Sequence, residues 1–186
     1  MYALIDQSNT CINIISLNNP EDYTPLPEHR LIQSIDAEMG KIWNGTTFVA
    51  PPPKVYSPDE IIAAQEKKIL EAFTYMEGQL ELATVSVPIA SQNTSCSFGC
   101  DKNTQENIIG INTALAVGIP IPDPTSWTPK GYPFPVPVTH TELVMIGGAI
   151  LNKKNELYTV YFTHKANIMM TSDYDTIQAY NVTTGY

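Results

Sequence analysis

Apolar residues fall in short β-branched runs as far as Val49 and recur at helical spacing after Pro58, so the chain changes period across Pro51-Pro52-Pro53. Tyr2 to Ile5 and Cys11 to Leu17 flank the polar stretch Asp6-Gln7-Ser8-Asn9-Thr10 and predict a hairpin. Leu31 to Ile35 alternates apolar and polar positions and predicts a third strand. Asn44-Gly45 lies between two more apolar runs. That pair takes positive φ most readily, so a second hairpin with a type I′ turn is expected there. Together these strands predict one small antiparallel sheet, with Tyr2, Trp43 and Phe48 on its apolar face. The three prolines can neither donate to a ladder nor continue a helix, so a stiff extended spacer follows the sheet.

Ser57-Pro58-Asp59-Glu60 is a dense start signal: Ser57 as N-cap, Pro58 at the first helical position and Glu60 reaching back to complete a capping box. The helix it opens should run to about Leu82, with Gly78 weakening its last turn. Ile62, Ile69, Phe73, Met76 and Leu80 recur on it at spacings of seven, four, three and four, with Glu66 at the missing heptad position. Two readings fit this stripe: packing against the C-terminal part of the chain, or the seam of a homotrimeric coiled coil. Ala83 to Ile89 reads as an edge strand because of Pro88, paired with Ser95 to Cys100 across Ser91-Gln92-Asn93-Thr94. A second helix is expected from Asn103, with Glu106 as its capping partner, to a closing Gly118, burying Ile108, Ile111 and Leu115. Residues 119–137 are so rich in proline that an extended, mostly unpaired path is expected, turning at Pro129-Lys130-Gly131 and pinned by Trp127, Tyr132 and Phe134. Thr139-His140-Thr141-Glu142 is a further capping box, opening a helix with Leu143, Ile146, Ile150, Leu157 and Tyr161 on one side. Gly147-Gly148 marks a close approach or a bend. Asn152 to Asn155 is either a solvated stretch or a break. A short closing helix is expected over 172–180, capped by Ser172 with Asp175 at N3.

The expected class is therefore α+β: a small N-terminal antiparallel β module (1–50), a Pro-rich linker (51–56), a connecting helix (57–82) and a C-terminal helical domain with a β-hairpin (83–186). At about fifty residues the first module buries too little to be stable with ease and should lean on a partner or on its neighbour.

Composition narrows the function. Over 186 residues the formal charge is −9, with no cluster of Lys and Arg, which argues against a nucleic-acid binder. Charged residues make up only 16%, against a usual quarter, while Asn, Thr, Ser, Tyr and Pro abound, a balance suited to static contacts. No apolar run approaches the roughly 18 residues of a membrane span, so no membrane insertion is expected. The chain starts without the pattern of a secretory leader, so a soluble product of a cytoplasm is expected.

Cys96 and Cys100 are the one pair that suggests a metal or a bridge, but zinc needs four ligands and no second pair lies nearby. Cys11 belongs to the other module, and His29, His140 and His164 are scattered; His140 fits a helix first turn and His164 a helix end. Asp59 with Glu60, and Asp173 with Asp175, read as helix N-terminal acids. There is no nucleophile elbow and no Gly-rich phosphate loop. No catalytic, cofactor-binding or metal-binding residue is therefore assigned, and no cofactor; the candidate partner or oligomer interface is Ile62, Ile69, Phe73, Met76 and Leu80.

Asp101-Lys102-Asn103-Thr104-Gln105-Glu106 with Ala114 and Gly118, then Trp127-Thr128-Pro129-Lys130-Gly131, Val138-Thr139-His140-Thr141-Glu142-Leu143 and Lys165-Ala166-Asn167-Ile168 leading to Asp173 and Ile177 form an ordered set of landmarks. Over roughly residues 83–180 this set resembles a domain of unknown function widespread in tailed-bacteriophage tail and tail-fibre proteins. Tyr2 to Asp6, Ile12 to Ile15 and Gly40 to Phe48 look like the β module that begins many phage tail-fibre assembly and tail-fibre-associated proteins. Neither motif set is catalytic. The resemblance implies a structural tail protein, made in the host cytoplasm and retained in the virion, that links or decorates a fibre or baseplate and has other tail proteins as partners. A fibre-assembly chaperone and a host-receptor module with aromatics such as Tyr132 or Tyr174 stacking on glycans are the alternatives it leaves.

Overall fold

The computed structural model describes residues 1–186. It is a mixed α and β structure with four helices and several small antiparallel sheets. The chain divides into two compact units, Met1–Val55 and Tyr56–Tyr186.

In the first unit, β1 (Tyr2–Ile5) lies between β2 (Cys11–Ile15) and β3 (Arg30–Gln33), antiparallel to both. The turn from β1 to β2 is tied by the Asp6 carboxylate, which accepts from the backbone amides of Ser8 and Thr10, both at 2.9 Å. The second hairpin does not join this sheet as expected. Strands β4 (Ile42–Trp43) and β5 (Phe48–Val49) pair only with each other, and a single bridge from Thr10 to Ile42 connects them to the first hairpin. Nor is the turn type I′. Trp43 pairs with Phe48, so the loop holds four residues, and Gly45 takes φ +101° while Asn44 keeps an ordinary backbone. Asn44 contributes through its side chain: its Oδ1 accepts from the amides of Thr46 and Thr47, both at 2.9 Å. The buried core is Ala3, Ile5, Cys11 and Phe48; Trp43 packs on it half-buried, and Tyr2 lies outside the cluster.

The second unit is built around α3 (His140–Met170), 31 residues that run unbroken through Asn152 to Asn155. Its inward face carries Leu143, Ile146, Ile150, Leu157, Tyr161 and Ile168. Against that face pack α1 (Pro58–Leu82) and the ribbon of β6 (Thr84–Ile89) with β7 (Thr94–Gly99). Both expected capping boxes close, at Ser57 with Glu60 and at Thr139 with Glu142. Val87, Ile89, Cys96 and Phe98 point from the ribbon into the same core. The helix α2 (Lys102–Ala116) crosses α3 where a Cβ on Gly147 would lie 3.0 Å from Ile108 Cγ2 and 3.2 Å from Asn112 Nδ2, so Gly147 marks a close approach.

Two N-caps differ from expectation for the same reason. Asp101 caps α2 in place of Asn103, and Asp173 caps α4 (Tyr174–Ala179) in place of Ser172, each carboxylate accepting from the amide three residues on. A carboxylate outcompetes a neutral neighbour at the positive end of a helix. The C-terminus of α2 closes as a Schellman motif, with Gly118 at φ +77° and the Ile119 amide donating to Ala114 O. Within the proline-rich stretch, where a mostly unpaired path is expected, β8 (Thr125–Trp127) and β9 (Val136–Val138) instead form a hairpin. Pro137 is tolerated because it lies in a strand with a partner on one side only. Trp127 and Tyr132 pack on the core as expected, but Phe134 is 73% exposed and pins nothing.

Candidate functional site

The five residues of the candidate interface do not share one surface. Met76 and Leu80 are buried in the core of the second unit, Ile69 and Phe73 pack against it, and only Ile62 is exposed. Phe73 meets Tyr161 of α3 edge to face, ring centroids 5.5 Å apart. The inward stripe of α1 is completed by Ile61, Ala64 and Ala72. Small alanines carry no apolar signal as strong as Ile62, which is why spacing alone began the stripe at Ile62 instead of Ile61; Ile69, Phe73, Met76 and Leu80 do lie on the inward side, as the reading of this stripe as packing within the chain expects.

The groups that suggested chemistry are each engaged in structure. Cys96 is on β7 and Cys100 follows it, which spaces their Cα atoms by roughly 13 Å along extended chain, beyond disulfide reach. All three cysteines are free and buried, and burial pushes the thiols of Cys11 and Cys100 up, away from the reactive thiolate. No group of three or more His, Cys, Asp or Glu side chains is arranged to hold a metal ion. His140 faces Pro122 O at 3.2 Å and Asp123 Oδ2 at 3.7 Å.

His164 differs from its expected role as a charge at a helix end. It is buried, with Nε2 2.9 Å from Thr184 O and Nδ1 3.0 Å from Tyr180 Oη, and it stacks on Tyr186. A carbonyl only accepts, so Nε2 carries a proton and donates it to Thr184 O. Asn167 Nδ2 donates to the Tyr180 hydroxyl at 3.3 Å. The network fastens the segment after α4 to α3.

Glu142 is the other buried polar side chain. Its Oε1 accepts from Ala90 N at 2.7 Å, and its Oε2 from Thr139 N at 2.7 Å and Thr139 Oγ1 at 2.8 Å. Burial works against its charge, but these donors prevail and hold the carboxyl below its ordinary range. One side chain thereby caps α3 and fixes the tip of the β6–β7 ribbon to it. The capping box was legible; the bond to Ala90, 52 residues away, had no sequence signal.

What the surface offers is apolar contact area. Between α2 and α3 runs an open groove of about 600 Å³. Ile108 and Gly147 line its depth, and Ile109, Val144 and Leu151, each more than half exposed, stand along it, with Lys154 at one end. Lys154 Nζ lies 3.3 Å from Gln105 Oε1. Exposed side chains of this size grouped along one groove are the usual mark of a contact surface. No family model, curated protein or solved structure matches the chain.

Proposed function

We propose that the chain is a structural protein of a bacteriophage tail, a non-enzymatic adaptor that links or decorates a tail fibre or baseplate. The observation that carries this reading is where the landmarks of the resemblance fall. Asp101 and Asp173 cap helices, Gly118 closes one, Thr139 and Glu142 form a capping box, Lys130 N donates to Ser97 O at 2.8 Å from the Pro129–Gly131 turn, and Ile168 and Ile177 are buried. These residues hold a scaffold in shape, and the surface on that scaffold suited to a partner is the α2–α3 groove. Such a protein acts through stable contacts made by pre-formed elements.

Deleting the gene in the encoding phage tests the reading. The expected result is particles that lack a fibre or baseplate component and adsorb poorly, rescued by supplying the chain during assembly. Normal particles with normal adsorption would overturn it. Rescue by a chain that is then absent from the finished particle would assign it to fibre assembly instead.

A further inference from the structure

The chemistry of the α2–α3 groove narrows the kind of segment that can fill it. Its walls are the stretch of α2 from Gln105 to Ala116 and the stretch of α3 from Val144 to Lys154, each about three helical turns or roughly 16 Å long. They run in opposite directions, since Gln105 meets Lys154 at one end while Asn112 lies against Gly147 further along. The main-chain donors and acceptors of both walls are spent inside their own helices. An extended segment laid between them finds no ladder partner, whereas a helix brings its main-chain bonds with it.

Two polar groups break the apolar lining. Lys154 is the only charged side chain in it, and its ammonium is held by Gln105 Oε1 at 3.3 Å and by the Tyr158 ring at 5.9 Å, neither of which carries a negative charge. No acidic side chain lines the groove, in a chain with 19 acidic and 10 basic residues. Asn112 stands in the α2 wall about two turns from Gln105, with its Oδ1 buried and without a hydrogen-bond partner. Buried acceptors nearly always have a donor, and the groove is the open side on which one can stand.

We propose that the groove binds an amphipathic helix of another tail protein, with a carboxylate at the end that meets Lys154. Its apolar side chains, at spacings of three and four, lie on Ile109, Val144 and Leu151. On the same face, about seven residues from the acid, it carries a side-chain donor for Asn112, a Ser, Thr, Asn or Gln. The inference deepens the adaptor reading and rests on it for the source of the helix. The acid compensates the one charge of the lining, and the donor satisfies Oδ1 once the Asn112 amide turns toward it. A hydrocarbon chain does neither, and covers an acceptor that stays unpaired. Gly148 leaves open space where a Cβ would stand, so the occupant can lie close to α3.

Selection of an mRNA-displayed library of random peptides on the immobilised full chain tests this, with peptides of about 18 residues so that a helix can form. The expected consensus has apolar residues at helical spacing, with an acid and a donor about seven residues apart. In fluorescence-anisotropy titrations of the selected peptide, Leu151→Glu should weaken binding roughly 100-fold and Lys154→Glu about tenfold. A peptide with Lys in place of its acid should regain binding to the Lys154→Glu chain. Both variants should keep the far-ultraviolet circular dichroism of the parent, Leu151 being exposed and Lys154 half-buried, which separates lost binding from lost fold. Selected peptides indifferent to Leu151→Glu, a consensus without helical spacing or without the acid, or no recovery on the charge swap would each overturn the proposal. So would a chain that pairs with its own copy through this groove, read as a dimer in sedimentation equilibrium that Leu151→Glu abolishes. Because the chain and the peptides are purified, these results stand apart from whether the protein is found in a phage particle.

Discussion

At the scale of single residues, Glu142 joins two elements that no local pattern connects. Replacing it with Ala leaves the Ala90 and Thr139 amides without their acceptor and should cost about 2 kcal/mol, measured by urea denaturation at neutral pH. Its carboxyl is held below the ordinary value of 4.5, so its contribution is complete above that value and is lost as pH falls through the lower folded one. The loss of stability on acidification below about pH 4.5 should therefore be shallower in Glu142→Gln than in the parent, read from denaturation midpoints across that window. His164 shows the limit of local reading. Its place in the chain suggested a dipole partner, but its environment comes from Tyr180, Thr184 and Tyr186, which reach it only through the fold.

At the scale of elements, the two capping boxes were legible, while the caps of α2 and α4 moved to a neighbouring aspartate, Asp101 and Asp173. Ser57 with Glu60 and Thr139 with Glu142 are short, stereochemically specific signals, and both close in the structure. The β6–β7 ribbon followed from β-branched runs around a turn, with Pro88 opposite Ser95 in the ladder. By contrast, the β8–β9 hairpin was hidden because prolines lower the strand signal without abolishing edge pairing. The buried face of α1 was read through Ile62, which is exposed, because Ala64 and Ala72 carry the stripe there. This assignment predicts a contrast in thermal stability. Met76→Ala should cost about 3 kcal/mol, as emptying a fully buried site does, and Ile62→Ala under about 0.5 kcal/mol. Equal losses at the two positions would contradict the orientation of α1.

At the scale of the whole molecule, the change of hydrophobic period near the three prolines coincides with the division into Met1–Val55 and Tyr56–Tyr186. The helix α1, which the sequence set apart as a connector, belongs to the second unit, because its inward face packs on α3 and α4. A fragment of residues 56–186 should therefore fold alone and unfold in a single calorimetric transition near that of the same unit in the full chain; a fragment without cooperative unfolding would contradict this division. The groove between α2 and α3 had no signal in the sequence, because two helices that only the fold brings together frame it. The proposed role as a lasting component of a phage particle is tested by mass spectrometry of gradient-banded virions against infected-cell lysate. The account predicts the protein in the particle at a fixed ratio to the other tail proteins. Its presence in the lysate together with its absence from the particle would contradict the account.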